Sequence, residues 1–238
     1  MNTEIVLCVT VRAPVVSFRR PLDHNYQRTL PMPPPTTILG IAGAALGLSD
    51  KELWAPSSPL RATRVAVWME ARPGHARDMW TVLKIKSGKI AERSPYFREL
   101  LFFTSYTLIY GDNRNVLENL REAFLNPTYP LSLGREDELV AVEEAGFYDV
   151  IETNPRFSAT ILPVDIRHRK IHLPLREGIR YEPAVVETLP VRFSVDARGV
   201  RHPEDPRPFS FLPLELEIEV PGVRALRCRE RNFTWLNS

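Results

Sequence analysis

The chain has 238 residues, 44% hydrophobic and 25% charged, with a formal net charge of +2. These proportions fit a soluble globular protein of one large domain or two small ones, and they exclude global disorder. No window approaches the roughly 18 consecutive apolar residues of a membrane span, and MNTEIVLCVTVRAPVV lacks the basic and apolar regions of a secretion signal, so no membrane partner and a cytoplasmic location are expected.

Glu4 to Val11 reads as a first strand, ended or bulged at Pro14. A polar stretch from Ser17 to Leu30 follows, and then the prolines 31, 33, 34 and 35, which require extended chain. Thr36 or Thr37 is the expected N-cap of a helix over Ile38 to Leu48. That helix is small, apolar and glycine-rich, which suits close packing or the approach of a ligand to its start. Arg61 to Glu70 and Asp78 to Ile90 read as strands of a hairpin turning at ARPGHAR. Glu99 to Tyr110 reads as a strong strand. Asn113 to Phe124 reads as an amphipathic helix, and Leu139 to Glu144 as a short strand. The order strand, helix, strand, strand, helix, strand implies an α+β fold of the ferredoxin-like (RRM-like) kind over residues 1–145. Residues 146–238 hold short apolar runs between proline-rich turns and read as a smaller β-rich lobe.

Charge is unevenly spread. Arg61 to Arg98 carries nine basic and three acidic residues, and Asp112 to Glu152 three basic and ten acidic. That polarity suits phosphate on one face and a protein neighbour on another. Lys84, Lys86, Lys89 and Arg93 fall in the basic stretch, and a spacing of two puts Lys84 and Lys86 on one strand face. Phe18 with Arg19 and Arg20, preceded by Ser17, offers a ring and charge for single-stranded RNA. Leu133, Gly134 and Arg135 in SLGRED form a loop that lets backbone amides and a guanidinium near a phosphate. Ferredoxin-like sheets commonly bind RNA on the sheet surface and adjoining loops.

Catalytic motifs are absent: there is no HExxH, GxSxG, phosphate loop or GxGxxG. His168 and His172 alternate in what reads as a strand ending at Pro174, which places them about 13 Å apart and unable to share a metal. His24 and Tyr26 could serve as an acid/base pair for RNA cleavage, or simply as loop residues. Cys8 and Cys228 stand at opposite ends of the chain; nothing in that spacing suggests a disulfide or a zinc site, and both read as ordinary thiols. No cofactor is expected.

Taken together, SFRRP, TLPMPPPTT, ILGIAGAALG, RSPYFRELLFFTSYTLIYG and YPLSLGREDELVAVEEA resemble, in this order, the CRISPR-associated Cas-five family over about residues 4–145. The resemblance implies a RAMP-type ferredoxin-like domain with a β-hairpin thumb, here at about 66–98. It implies a type I Cascade subunit, most similar to subtypes I-A, I-B and I-D, that caps the 5′ handle of the crRNA. Expected partners are the crRNA, the Cascade backbone subunit and the large subunit, with target DNA met indirectly through the complex. A branch in subtype I-C cuts precursor crRNA without metal, using Tyr, Lys and His. This sequence lacks the adjacent Lys-His pair, so a non-enzymatic role is the expectation and a metal-independent endoribonuclease the alternative. The RNA-contact residues expected on both grounds are Ser17, Phe18, Arg19, Arg20, Thr36, Thr37, Lys84, Lys86, Lys89, Arg93, Leu133, Gly134 and Arg135.

Overall fold

The computed structural model describes residues 4–173, 178 and 181–238. Strand β1 (Glu4–Val16) is rich in Val and mostly buried, because both faces of its first half are covered. It runs on through Pro14. Opposite that proline, which has no N–H to donate, Phe103 adopts φ 51° and the ladder bends.

Helix α1 (Pro35–Leu46) starts earlier than the threonines suggested. Pro34 is its N-cap and Pro35 occupies the first turn, where a missing N–H costs nothing, so no side chain caps the helix. Helix α2 (Asp50–Trp54) follows, closed by a Ser49–Glu52 capping box. Gly43 of α1 packs on Leu53 of α2; a Cβ there would sit 3.0 Å from its side chain. The glycine thus serves close packing.

The expected hairpin pairs differently. Strand β2 (Arg64–Met69) is buried and does not join its sequence neighbour β3 (Gly74–Lys86). Both pair antiparallel with one 23-residue strand, β4 (Lys89–Gly111). The turn lies at Ser87-Gly88, with φ 49° and 75°, the two positive angles of a type I′ hairpin. Strand β3 as a whole is about 40 Å long, and the distal part of β3–β4 beyond Trp80 is a mostly exposed two-stranded arm.

Helix α3 (Arg114–Leu125) is capped by the Asn113 side chain and buries Leu117, Leu120 and Phe124. It leads to β5 (Ala141–Thr153), which pairs with β1. The central sheet therefore has the antiparallel order β5–β1–β4–β2. Helices α1 and α3 cover one face, over Leu7, Val9, Tyr106, Leu108 and Tyr110. Full burial of each such side chain is worth about 2 kcal/mol.

After residue 146 the described residues form strands and one tight helical turn. Strands β6 (Val185–Val195) and β7 (Arg201–Phe211) make a hairpin whose inner side packs on α1 and α2. Strands β8 (Ala225–Cys228) and β9 (Arg231–Phe233) extend the central sheet from β5, and Phe233 joins Val6, Trp68 and Ile109 on the face away from the helices. The strand expected around the histidines is replaced: Ile166–His168 is a helical turn, and His172 pairs through its backbone with Glu219. The expected end of that strand, Pro174, lies outside the described residues. Among the described residues no group of three or more metal-ligating side chains occurs, and no helix is long and apolar enough to cross a membrane.

Candidate nucleic-acid interface

The loop after α3 is folded around one carboxylate. Leu133 N–H donates to Glu138 O, and Glu138 N–H to Arg135 O, so residues 133–138 close tightly. Glu138 is only 5% exposed. Its carboxylate accepts from Arg135 N–H at 2.9 Å, Ser17 N–H at 2.7 Å and Ser17 Oγ at 2.5 Å. Three directed donors make burial of that charge tolerable, and they join two loops about 120 residues apart. Gly134 is required between them. Its φ is +116°, and a Cβ would lie 2.3 Å from Glu138 Oε2 and 2.4 Å from Ser17 O.

Beyond Ser17 the chain lays Phe18–Arg19 antiparallel to Thr29–Leu30. Arg19 is exposed, and its guanidinium donates to Asp23 O at 2.5 Å. Arg20 is half-buried in an ion pair with Glu187 of β6 at 2.6 Å. Asp23 receives the Arg28 guanidinium at 2.8 Å, which holds its carboxyl below the usual 3.8.

The base of the projecting hairpin is tied to these loops. Gln27 accepts from Arg135 at 2.5 Å, while Tyr26-Gln27 runs parallel to Phe97-Arg98 of β4. Trp80 of β3 lies under two guanidiniums, Arg98 at 5.2 Å and Arg135 at 4.9 Å from its ring centre.

These parts enclose a groove of about 1320 Å³. The loops, Trp80 and the start of α1 form one side; Leu189, Pro190, Phe193, Pro203 and Pro206 of the β6–β7 hairpin form the other. Arg19, Arg20 and Arg135 are balanced by Glu136, Asp137 and Glu187. Net charge therefore does not drive ligands in; directed donors and apolar walls are what the groove offers. Thr36 and Thr37 line it where α1 begins, a helix end with no side-chain cap and no acidic residue in its first turn. Pro35 has no N–H and Thr37 N–H already donates to Pro34 O at 2.9 Å, so what this end offers an anion is chiefly the positive end of the helix dipole.

Of the residues expected from sequence, Ser17, Arg19, Arg20, Thr36, Thr37, Gly134 and Arg135 come together here. Phe18 packs in the core, 3% exposed and edge-on to Tyr106 at 5.9 Å, so its ring is not offered to a base. Leu133 is wholly buried. Lys84, Lys86, Lys89 and Arg93 sit on the projecting hairpin; Lys84 pairs with Glu92 at 2.7 Å. Sequence reasoning missed Glu138, which looks like a solvated charge in GREDE, and Trp80, Gln27 and the proline-rich wall.

The sheet surface is less available than expected. Trp68 is 1% exposed beneath Arg231, and Arg229 lies over Tyr148 at 5.0 Å. As for an acid/base pair, Tyr26 donates its phenolic proton to Glu99 at 2.6 Å, which pushes its pKa up.

The sequence profile of CRISPR-associated protein (Cas_Cas5) matches residues 6–207. No curated protein matches the chain. One similar solved structure is a "CRISPR RNA-guided surveillance complex" chain, 14% identical at TM-score 0.56, with 88% of this chain and 91% of that one aligned. Another is "a CRISPR protein from Archaeoglobus fulgidus", 13% identical at TM-score 0.54, with 97% and 99% aligned. A third, titled "Crystal structure of Cas protein", is 25% identical at TM-score 0.40. The alignment takes in 56% of this chain and spans little more than half, 58%, of that one. The first two likenesses give the fold, and the profile, matched over most of the chain, gives the family: this chain belongs to the CRISPR-associated Cas-five family.

Proposed function

We propose that this chain is a non-catalytic crRNA-binding subunit of a type I Cascade complex and holds the 5′ handle of the guide RNA in the groove. The observation that carries this reading is the convergence of Ser17, Arg19, Thr36, Thr37 and Arg135 on one cleft from three distant segments. Trp80 and the proline-rich wall suit unstacked bases, which RNA-binding proteins hold by stacking and edge contacts. A phosphate fits the uncapped start of α1.

On this reading the sheet order β5–β1–β4–β2 with two helices on one face is a ferredoxin-like domain, and the β3–β4 arm is its thumb. The arm's exposed Met79, Leu83, Ile85 and Phe97 suit contact with the neighbouring backbone subunit. The large subunit is a further partner, and target DNA is reached through the assembled complex. The groove residues serve to position RNA rather than cut it. A phenol already committed to Glu99, as in Tyr26, is a poor general base near neutrality.

The test is binding of a labelled 5′-handle RNA by anisotropy, with Arg19→Ala and Arg135→Ala combined. The expected result is at least a tenfold loss of affinity, and a log-affinity against log-salt slope shallower by about 1.4 if each arginine meets one phosphate. Unchanged affinity and slope contradict the proposal. Incubation with cognate repeat RNA in EDTA separates the alternative: specific cleavage, lost on Tyr26→Phe or His24→Ala, replaces this reading with a metal-independent endoribonuclease.

A further inference from the structure

The chain's two cysteines meet. Cys8 lies on β1 and Cys228 ends β8, 220 positions apart, yet their Sγ atoms are 3.7 Å from each other. They are 1% and 3% exposed. A buried cysteine ordinarily fills space as a small hydrophobe. That role does not require the only two cysteines of a 238-residue chain to be each other's neighbours.

We propose that Cys8 and Cys228 form a disulfide site, a reversible covalent staple between the first strand and the C-terminal hairpin. The thiols are in contact at 3.7 Å across β5, which lies between β1 and β8 in the sheet, so the sulfurs reach the bonded distance of about 2.05 Å when the β8–β9 hairpin shifts toward β1. The reaction partner is a small-molecule disulfide such as oxidised glutathione. Cys228 is the first nucleophile, because the hydrogen bond from Cys8 and the nearby Arg229 guanidinium favour its thiolate, while Cys8 is held protonated. Cys228 Sγ attacks one sulfur of the reagent and expels one thiolate. Cys8 then gives up its proton to solvent, and its Sγ attacks Cys228 Sγ, expelling the second. Two protein thiols are oxidised and one reagent disulfide is reduced to two thiols. Entry is at the sheet's edge. Strands β8 and β9 are four and three residues long and are joined at Arg229 and Glu230, both at positive φ; their opening also exposes the buried Leu226 and Phe233, so entry requires a local unfolding of this hairpin.

The experiment equilibrates the full-length chain in glutathione redox buffers from two directions, folded reduced protein and chain refolding from urea, followed by alkylation, intact mass and peptide mapping. Approaching from both sides keeps burial from hiding the equilibrium. The expected result is a Cys8–Cys228 linkage in both, with an effective concentration at least a hundredfold above that of the urea-unfolded chain. The linkage should raise the melting temperature on the order of 10 °C, since it closes a loop of about 220 residues, and Cys228→Ser should abolish the rise. Free thiols or mixed glutathione disulfides in the folded protein, or an effective concentration no higher than in urea, overturn the proposal.

Discussion

The groove and the projecting hairpin draw on the same residue types, arginine and lysine beside aromatic rings, but hold them in opposite ways. In the groove each cation is already engaged: Arg20 by Glu187, Arg135 by Gln27 and Trp80, Arg19 by a backbone carbonyl. The loops that carry them are fixed by the buried Glu138. On the hairpin, Lys86 and Lys89 flank an exposed turn, and Lys84 has only the exposed Glu92. The groove is thus shaped before any ligand arrives, whereas the hairpin is a charged arm that can be altered without disturbing the body. Pre-shaping lowers the ordering cost of binding, and it couples the binding site to folding stability.

Variants can break this contrast, the most damaging first. Gly134→Ala forces a Cβ against Glu138 and Ser17 at a backbone angle alanine resists. It should cost about 3 kcal/mol in urea denaturation and abolish handle binding with it. Glu138→Gln keeps the shape but turns one acceptor into a donor facing Ser17 and Arg135; the expected loss is about 2 kcal/mol by the same measurement. Asp23→Asn should cost about 1 kcal/mol at pH 7, discounted because Arg28 is half exposed. Arg28 depresses the Asp23 pKa, so the carboxylate's contribution is complete above about 3.8 and disappears as pH falls through the lower folded value. Wild type and variant should therefore converge in acid. Replacing Lys84, Lys86, Lys89 and Arg93 together by Ala should change stability by less than about 0.5 kcal/mol. A large loss of stability there would erase the contrast.

Much of the body was legible in the sequence. The strand and helix order followed from periodicity, and the helix expected over Asn113 to Phe124 is found at Arg114–Leu125 with Asn113 as its cap; Ser17, Arg19 and Arg135 each stood out by residue type, but their meeting did not. The hairpin was misregistered because ARPGHAR contains the more obvious turn formers, while the actual turn, Ser87-Gly88, sits inside a run that reads as one strand. Thr36 and Thr37 look like caps, but prolines that need no N–H partner begin the helix one turn earlier. Glu138, the apolar wall and the Cys8–Cys228 contact were not legible. Each depends on segments more than 100 residues apart, and local pattern carries no record of such meetings.

The most direct test of where RNA lies is photo-crosslinking of a 4-thiouridine-substituted 5′-handle RNA to the wild-type chain, mapped by peptide mass spectrometry. Crosslinks should fall on the peptides holding residues 17–22, Trp80 and 134–137 that line the groove. Crosslinks confined to the hairpin tip around Ser87, or to the sheet face where Thr10 of β1 meets Thr107 of β4 at 3.0 Å, with the groove peptides unmodified, would contradict the account.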